Sequence, residues 1–119
     1  MKIFNFETVE LEDAGPGAEG VKVRWVINEK TGAPNFAMRI FDFVPGGHTP
    51  EHSHAWEHEI FILEGEGTAL TPGGEKPVKA GDVVFVPGGD THQFRNTGDG
   101  LFRMMCLIPL EKKNASEGC

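Results

Sequence analysis

Glycine and proline cut this chain into pieces too short for helices. Sixteen glycines and eight prolines are spread over 119 residues, and no window of about 11 or more residues carries apolar side chains at the spacing of an amphipathic helix. The pieces instead show apolar residues at alternate positions, or short unbroken apolar runs, which is how half-buried and fully buried strands read. The pattern predicts an all-β chain of roughly nine short strands, closed as a sandwich or a barrel.

Taken in order, residues 3–9 read as a short strand, and Asp13-Ala14-Gly15-Pro16-Gly17-Ala18-Glu19-Gly20 as a loop by composition. Val21, Val23 and Trp25 alternate with Lys22, Arg24 and Val26, the pattern of a strand buried on one face. Residues 36–44 are strongly apolar, yet either face carries one charged residue: Arg39 travels with Phe41 and Phe43, and Asp42 with Met38 and Ile40. Such a conflict marks a functional or partner-facing position. Residues 59–64 form a strand, Gly65-Glu66-Gly67 a bend and residues 68–71 its continuation. Pro72-Gly73-Gly74-Glu75 turns the chain, and residues 76–80 lead through Gly81-Asp82 into a strand at 83–86. After a turn at Pro87-Gly88-Gly89-Asp90, further strands are expected at 92–95 and 101–108, with a polar tail over 112–119.

Size and charge narrow the function classes. At 119 residues and 13.0 kDa, residues 1–119 are read as a single domain, small enough to gain from pairing with a second copy of itself. A net charge of -7 argues against nucleic acid as a partner and against adhesion to an anionic membrane. No apolar run reaches the roughly 18 residues of a membrane span, and residues 1–7 have no apolar leader region. Cys106 and Cys119 do not make a disulfide framework, so the cytoplasm is the expected compartment. Asn114-Ala115-Ser116 matches a glycosylation pattern and reads as a chance match.

The chemistry is concentrated in Gly46-Gly47-His48-Thr49-Pro50-Glu51-His52-Ser53-His54-Ala55-Trp56-Glu57-His58. In an extended chain His52 and His54 face the same way, close enough to share one metal ion. His58 has the same parity, although a bend at Ala55-Trp56-Glu57 would redirect it. His92 adds a further imidazole, and His48, in a loop before Thr49-Pro50, is the histidine left over. By itself a His-x-His pair is equally consistent with two surface histidines.

Two longer patterns change that balance. Gly46, five residues, His52-x-His54, three residues, His58, six residues and Gly65 resembles the first motif of the cupin superfamily. Gly81, five residues, Pro87-x-Gly89, two residues, His92, three residues and Asn96 matches the second. The departure is His58, which stands where the family most often has a glutamate; a one-residue slip would use Glu59 but break the spacing to Gly65. The runs Trp56-Glu57-His58-Glu59-Ile60-Phe61 and Asn35-Phe36-Ala37-Met38-Arg39 resemble small single-domain cupins with a four-histidine site. The resemblance implies a double-stranded β-helix, or jelly-roll, barrel. It also implies a metal in the mouth held by His52, His54, His58 and His92, and a homodimer.

Four neutral imidazoles leave the full charge of a divalent ion uncompensated, which favours anionic ligands and acidic bound water. Imidazole suits Mn, Fe, Co, Ni, Cu and Zn; the resemblance favours Mn2+ or Fe2+. A tetrahedral zinc would be closed and structural, whereas an octahedral ion would keep two positions open for O2 and a small organic substrate. A metal-dependent oxidoreductase of dioxygenase type is therefore the leading expectation. The alternatives are a non-catalytic metal or small-ligand binding module and a metal-dependent isomerase or lyase on a sugar or keto acid. Trp56 and Phe94 are candidates to wall the pocket or to be plain core aromatics. Cys106 shares a face with Phe102, Met104 and Ile108 and approaches the metal if that face looks inward; buried thiols are mostly inert. Arg39 is a candidate to hold a substrate carboxylate, or else a surface ion pair. Asn96 and Gly89 are read as turn-shaping.

Overall fold

The structure is a computed structural model that describes residues 1–110; the whole polar tail, with Cys119 and the 114–116 pattern, lies outside the described residues. In chain order the strands are β1 (Glu12–Asp13), β2 (Glu19–Ile27), β3 (Phe36–His48), β4 (His58–Glu64), β5 (Glu66–Thr71), β6 (Gly74–Lys79), β7 (Val83–Val86), β8 (Gln93–Arg95) and β9 (Phe102–Pro109). Every pairing is antiparallel, in the order β6-β5-β8-β3-β9-β4-β7, with β2 joining β3 and β1. The thirteen-residue β3 is the spine: it pairs with β2 and β9 over its first half and reaches β8 at His48. Apart from β5 with β6 and the run β1, β2, β3, neighbours are not consecutive in sequence, as in the jelly-roll that the motifs imply.

The inner face of this curled sheet is the core. β9 alternates strictly, with Phe102, Met104, Cys106 and Ile108 buried and the residues between them only partly so. Opposite it, β3 turns Ala37, Arg39, Phe41 and Phe43 inward. Phe43 and Phe102 are direct register partners whose rings meet edge to face at 5.0 Å, and burying each such ring contributes on the order of 1.5–3 kcal/mol.

The charged residues of β3 separate by face. Asp42 points outward between two guanidiniums, accepting from Arg103 Nε at 2.6 Å and from Arg24 Nη1 at 3.3 Å. Both cations also lie over the Phe6 ring, at 4.9 and 5.5 Å. Arg39, on the inner face, has no carboxylate partner among the described residues.

Four local expectations are corrected. Residues 3–9 do not form a strand: Phe6–Thr8 is a 3-10 turn, because the Asn5 side chain caps Glu7 N at 2.9 Å and Thr8 Oγ1 donates to Asn5 O at 2.7 Å. Inside the expected 13–20 loop, Asp13 closes the short strand β1 and Glu19 already opens β2. Val26 is buried although it follows the inward Trp25, since the register slips between Trp25 and Ile27. β5 does not continue β4: it pairs with β6 and β8, whereas β4 pairs with β7 and β9. Gly65 makes that switch possible with a φ of 80°, where a Cβ would run into the Leu101 carbonyl oxygen.

Candidate metal centre

The histidine segment is not the extended strand its alternation suggests. His52 makes only one antiparallel bridge, to His92, with backbone N–H groups donating both ways at 3.1 and 2.9 Å. Thr49, fully buried, pins the start of this segment to β8: its N–H donates to the Phe94 carbonyl and its hydroxyl accepts from Phe94 N, both at 2.9 Å. Sequence reading passed over Thr49. A buried hydroxyl in a loop has no pattern of its own until its partner strand is known.

These anchors bring imidazoles together. The ligand-capable nitrogens of His52, His54 and His92 all lie within 4.8 Å of one another, so these three histidines can hold a metal ion. His58, at the start of β4 and fully buried, joins the same cluster, its ring centroid 4.6 Å from that of His54 and 5.0 Å from that of His92. Glu59 is exposed on the opposite face of β4, as its position in the strand requires. His48 is elsewhere, with Nε2 3.1 Å from Glu19 Oε2.

The ring orientations fit a cation. His54 Nδ1 sits 3.1 Å from the Trp56 carbonyl, and His92 Nδ1 2.9 Å from the Asp90 carbonyl. Carbonyls only accept, so both imidazoles carry their proton on Nδ1 and present the Nε2 lone pair. His58 Nδ1 lies 3.1 Å from Cys106 Sγ, which selects the same tautomer when the thiol sulfur accepts. Nε2 of His58 then faces Nε2 of His54 at 2.8 Å. Two lone pairs at that separation repel unless a proton or a cation lies between them, and a divalent ion would meet that need as well as a shared proton does. His52 Nε2 is likewise buried without a hydrogen-bond partner among the described residues.

Burial, followed by repulsion from His92, His58 and Arg39, pushes His52 down to about 4. Burial and then His58 push His54 to about 4 as well, against the Trp56 carbonyl, which favours its protonated form. Both rings are thus neutral and ready to ligate at neutral pH.

The remaining candidates fall into place around the rings. Trp56 stacks on His54 at 4.0 Å with the planes 5° apart, fixing that imidazole. Phe94 is a core residue, 6.5 Å from His92. Cys106 faces inward and accepts from Arg39 Nη2 at 3.2 Å, so the guanidinium stands one thiol away from His58. Asn96 is structural: its Nδ2 donates to Phe43 O at 2.9 Å and Gly100 O at 2.8 Å.

Among known proteins, a solved structure of the polyketide cyclase RemF from Streptomyces resistomycificus superposes with a TM-score of 0.87 and 34% identity, over 93% of this chain and 80% of that one. The 1-methylthio-D-xylulose 5-phosphate methylsulfurylase of Rhodospirillum rubrum is 33% identical over 75 residues, 63% of this chain and 48% of that protein. The oxalate-binding protein of Thermotoga maritima is 40% identical over 67 residues, 56% of this chain and 55% of that one. The chain thus spans about half the length of these two relatives. Residues 39–108 match the family described as the cupin domain, taking in most of the spine strand, every clustered histidine and most of the strand that carries Cys106. This chain belongs to the cupin family.

Proposed function

We propose that this chain is a metal-dependent enzyme acting on a small, enolisable organic substrate, with the divalent ion held by His52, His54, His58 and His92. The observation that supports it is the ligand chemistry: four clustered imidazoles, three with Nδ1 engaged outward, and no carboxylate among them. An ion so held keeps its full charge and, when bound, supplies Lewis-acid stabilisation to an enolate oxygen. The protein's part is to fix three of the rings, through the Trp56 and Asp90 carbonyls, the Cys106 thiol and the Trp56 stack, and to hold His52 beside them by its backbone bridge to His92. The likeness to a polyketide cyclase favours ring closure of a poly-β-carbonyl chain as the reaction.

A dioxygenase reading, with Mn2+ or Fe2+ as the ion and O2 as co-substrate, is supported by the same all-imidazole set, a ligand type that would suit either metal. Offering heptane-2,4,6-trione and a panel of enols and catechols to Mn-, Fe- and Zn-loaded protein, with and without air, separates the readings. Cyclised product without oxygen uptake supports ring closure. Oxygen consumption supports the dioxygenase. Neither outcome with any metal leaves a binding module and overturns both.

We also propose a homodimer. The outer face of β4, β7 and β9 carries Phe61, Val83 and Phe85, which are 39%, 75% and 58% exposed, and β7 ends the strand order with one edge unpaired. Such an edge is an aggregation hazard unless it is covered, and an antiparallel twofold pairing of β7 with its copy would cover it.

A further inference from the structure

Arg39 is fully buried, yet its Nε and Nη1 have no hydrogen-bond partner among the described residues, and only Nη2 is used, toward Cys106. Its guanidinium is flanked instead by two aromatic rings, Phe41 at 5.0 Å and Trp25 at 5.2 Å. A buried cation without a counter-charge is costly, and ring faces offset only part of that cost. All three residues line one cavity of about 790 Å³ between the N-terminal segment and the inner face of β2 and β3, a volume in the range of small-molecule sites. The histidines do not line it.

We propose that this cavity is a subsite for the carboxylate of a planar, unsaturated organic acid, with Arg39 as the residue that binds the carboxylate. The charge distribution selects the ligand class. The lining carries the exposed carboxylates of Glu10, Glu12 and Glu29 against the ammonium groups of Lys2 and Lys30, with Asp13 already paired to Lys22 at 2.7 Å, so the mouth disfavours a dianion such as phosphate, whereas the one buried cation matches one negative charge. The half-buried Trp25 lies over the guanidinium. It turns aside to admit the acid and then stacks on the acid's flat body. Sequence placed Arg39 as a carboxylate candidate; the cavity, the Trp25 gate and the preference for a monoanion come from the fold.

The inference deepens the enzymatic reading above and rests on it for the identity of the acid, but its test needs no turnover. Titration calorimetry and tryptophan emission, on the protein as isolated, compare 2-naphthoate, the uncharged 2-naphthalenemethanol and inorganic phosphate. Naphthoate is expected to bind and to change the emission, with the alcohol and phosphate weaker by about tenfold or more, the loss expected when a charge-assisted hydrogen bond is absent. Arg39→Met should remove that preference while Arg39→Lys keeps part of it, and Trp25→Ala should weaken naphthoate without restoring phosphate. Naphthoate binding that survives in Arg39→Met sits at the metal centre and overturns the proposal, as does equal affinity for the alcohol or for phosphate. If Arg39→Met fails to fold, the Trp25→Ala and ligand comparisons still decide. Naphthoate selectivity in a protein that turns over no substrate would sink the proposed activity and leave the subsite standing.

Discussion

His58 Nδ1 and Cys106 Sγ lie 3.1 Å apart across the β4–β9 ladder. The register explains the meeting: Cys106 pairs with Ile60, so His58, two residues before Ile60, shares its inward face and stands diagonally across from the thiol. The same sulfur accepts from Arg39 Nη2. One thiol therefore links the imidazole cluster to the buried guanidinium.

Replacing Cys106 separates its two possible contributions. Cys106→Ser keeps an acceptor for the His58 N–H and should hold metal near the wild-type level. Cys106→Val removes the acceptor and should weaken metal affinity by about 10–100-fold, the usual effect of losing a ligand's hydrogen-bond partner. Competition titration with a chromophoric chelator measures both, and equal affinities in the two variants would show that the thiol does not orient His58.

Removing a ligand should cost more than removing its support. His52→Ala and His54→Ala are expected to lose metal by more than about 100-fold, while His48→Ala, whose ring pairs with Glu19 far from the cluster, should keep it. Elemental analysis of the purified variants is the check. Metal-poor His48→Ala protein would mean that the wrong histidine has been set aside.

Acid should destabilise the metal-stripped protein in a defined window. His52 and His54 fall from an ordinary 6.5 to about 4 in the folded chain, so between those values the unfolded chain binds more protons than the folded one. Their stabilising contribution is present above about pH 6.5 and is lost as pH falls toward 4. Urea midpoints across this range should decline on acidification, and the decline should shrink in His52→Ala. A flat profile would contradict it.

The outward carboxylate of β3 should matter more than a surface charge. Asp42→Ala leaves Arg24 and Arg103 facing one another without their shared acceptor, and should cost about 2 kcal/mol, less than the roughly 3–5 kcal/mol of a fully buried pair. Phe102→Ala opens a cavity against Phe43 and should cost about 3–5 kcal/mol. Chemical denaturation ranks the two, and an Asp42→Ala variant as stable as the parent would make this cluster mere decoration of the surface.

The unpaired β7 edge gives an assembly prediction. Val83→Glu with Phe85→Lys should turn a dimer into a monomer without changing metal content, because both side chains point away from the histidines. Sedimentation equilibrium reads the change. A parent chain that sediments as a monomer would remove the proposal.

What the sequence determined by itself was whatever depends on local period and local stereochemistry. The alternation in β9 told which residues share a face, though not that the face looks inward, and the resemblance to the two cupin motifs, rather than parity, put His58 and His92 with His52 and His54. It misread residues 3–9, where side-chain caps compete with strand pairing over a few residues and no periodicity records the outcome. The tertiary structure alone decided which face of β3 is the inner one, and so sent Arg39 into the barrel and Asp42 out to Arg24 and Arg103. It alone set Cys106 against His58 and Thr49 against Phe94. These contacts join residues roughly 45 or more positions apart through antiparallel register, and register is a property of paired strands that no single strand carries.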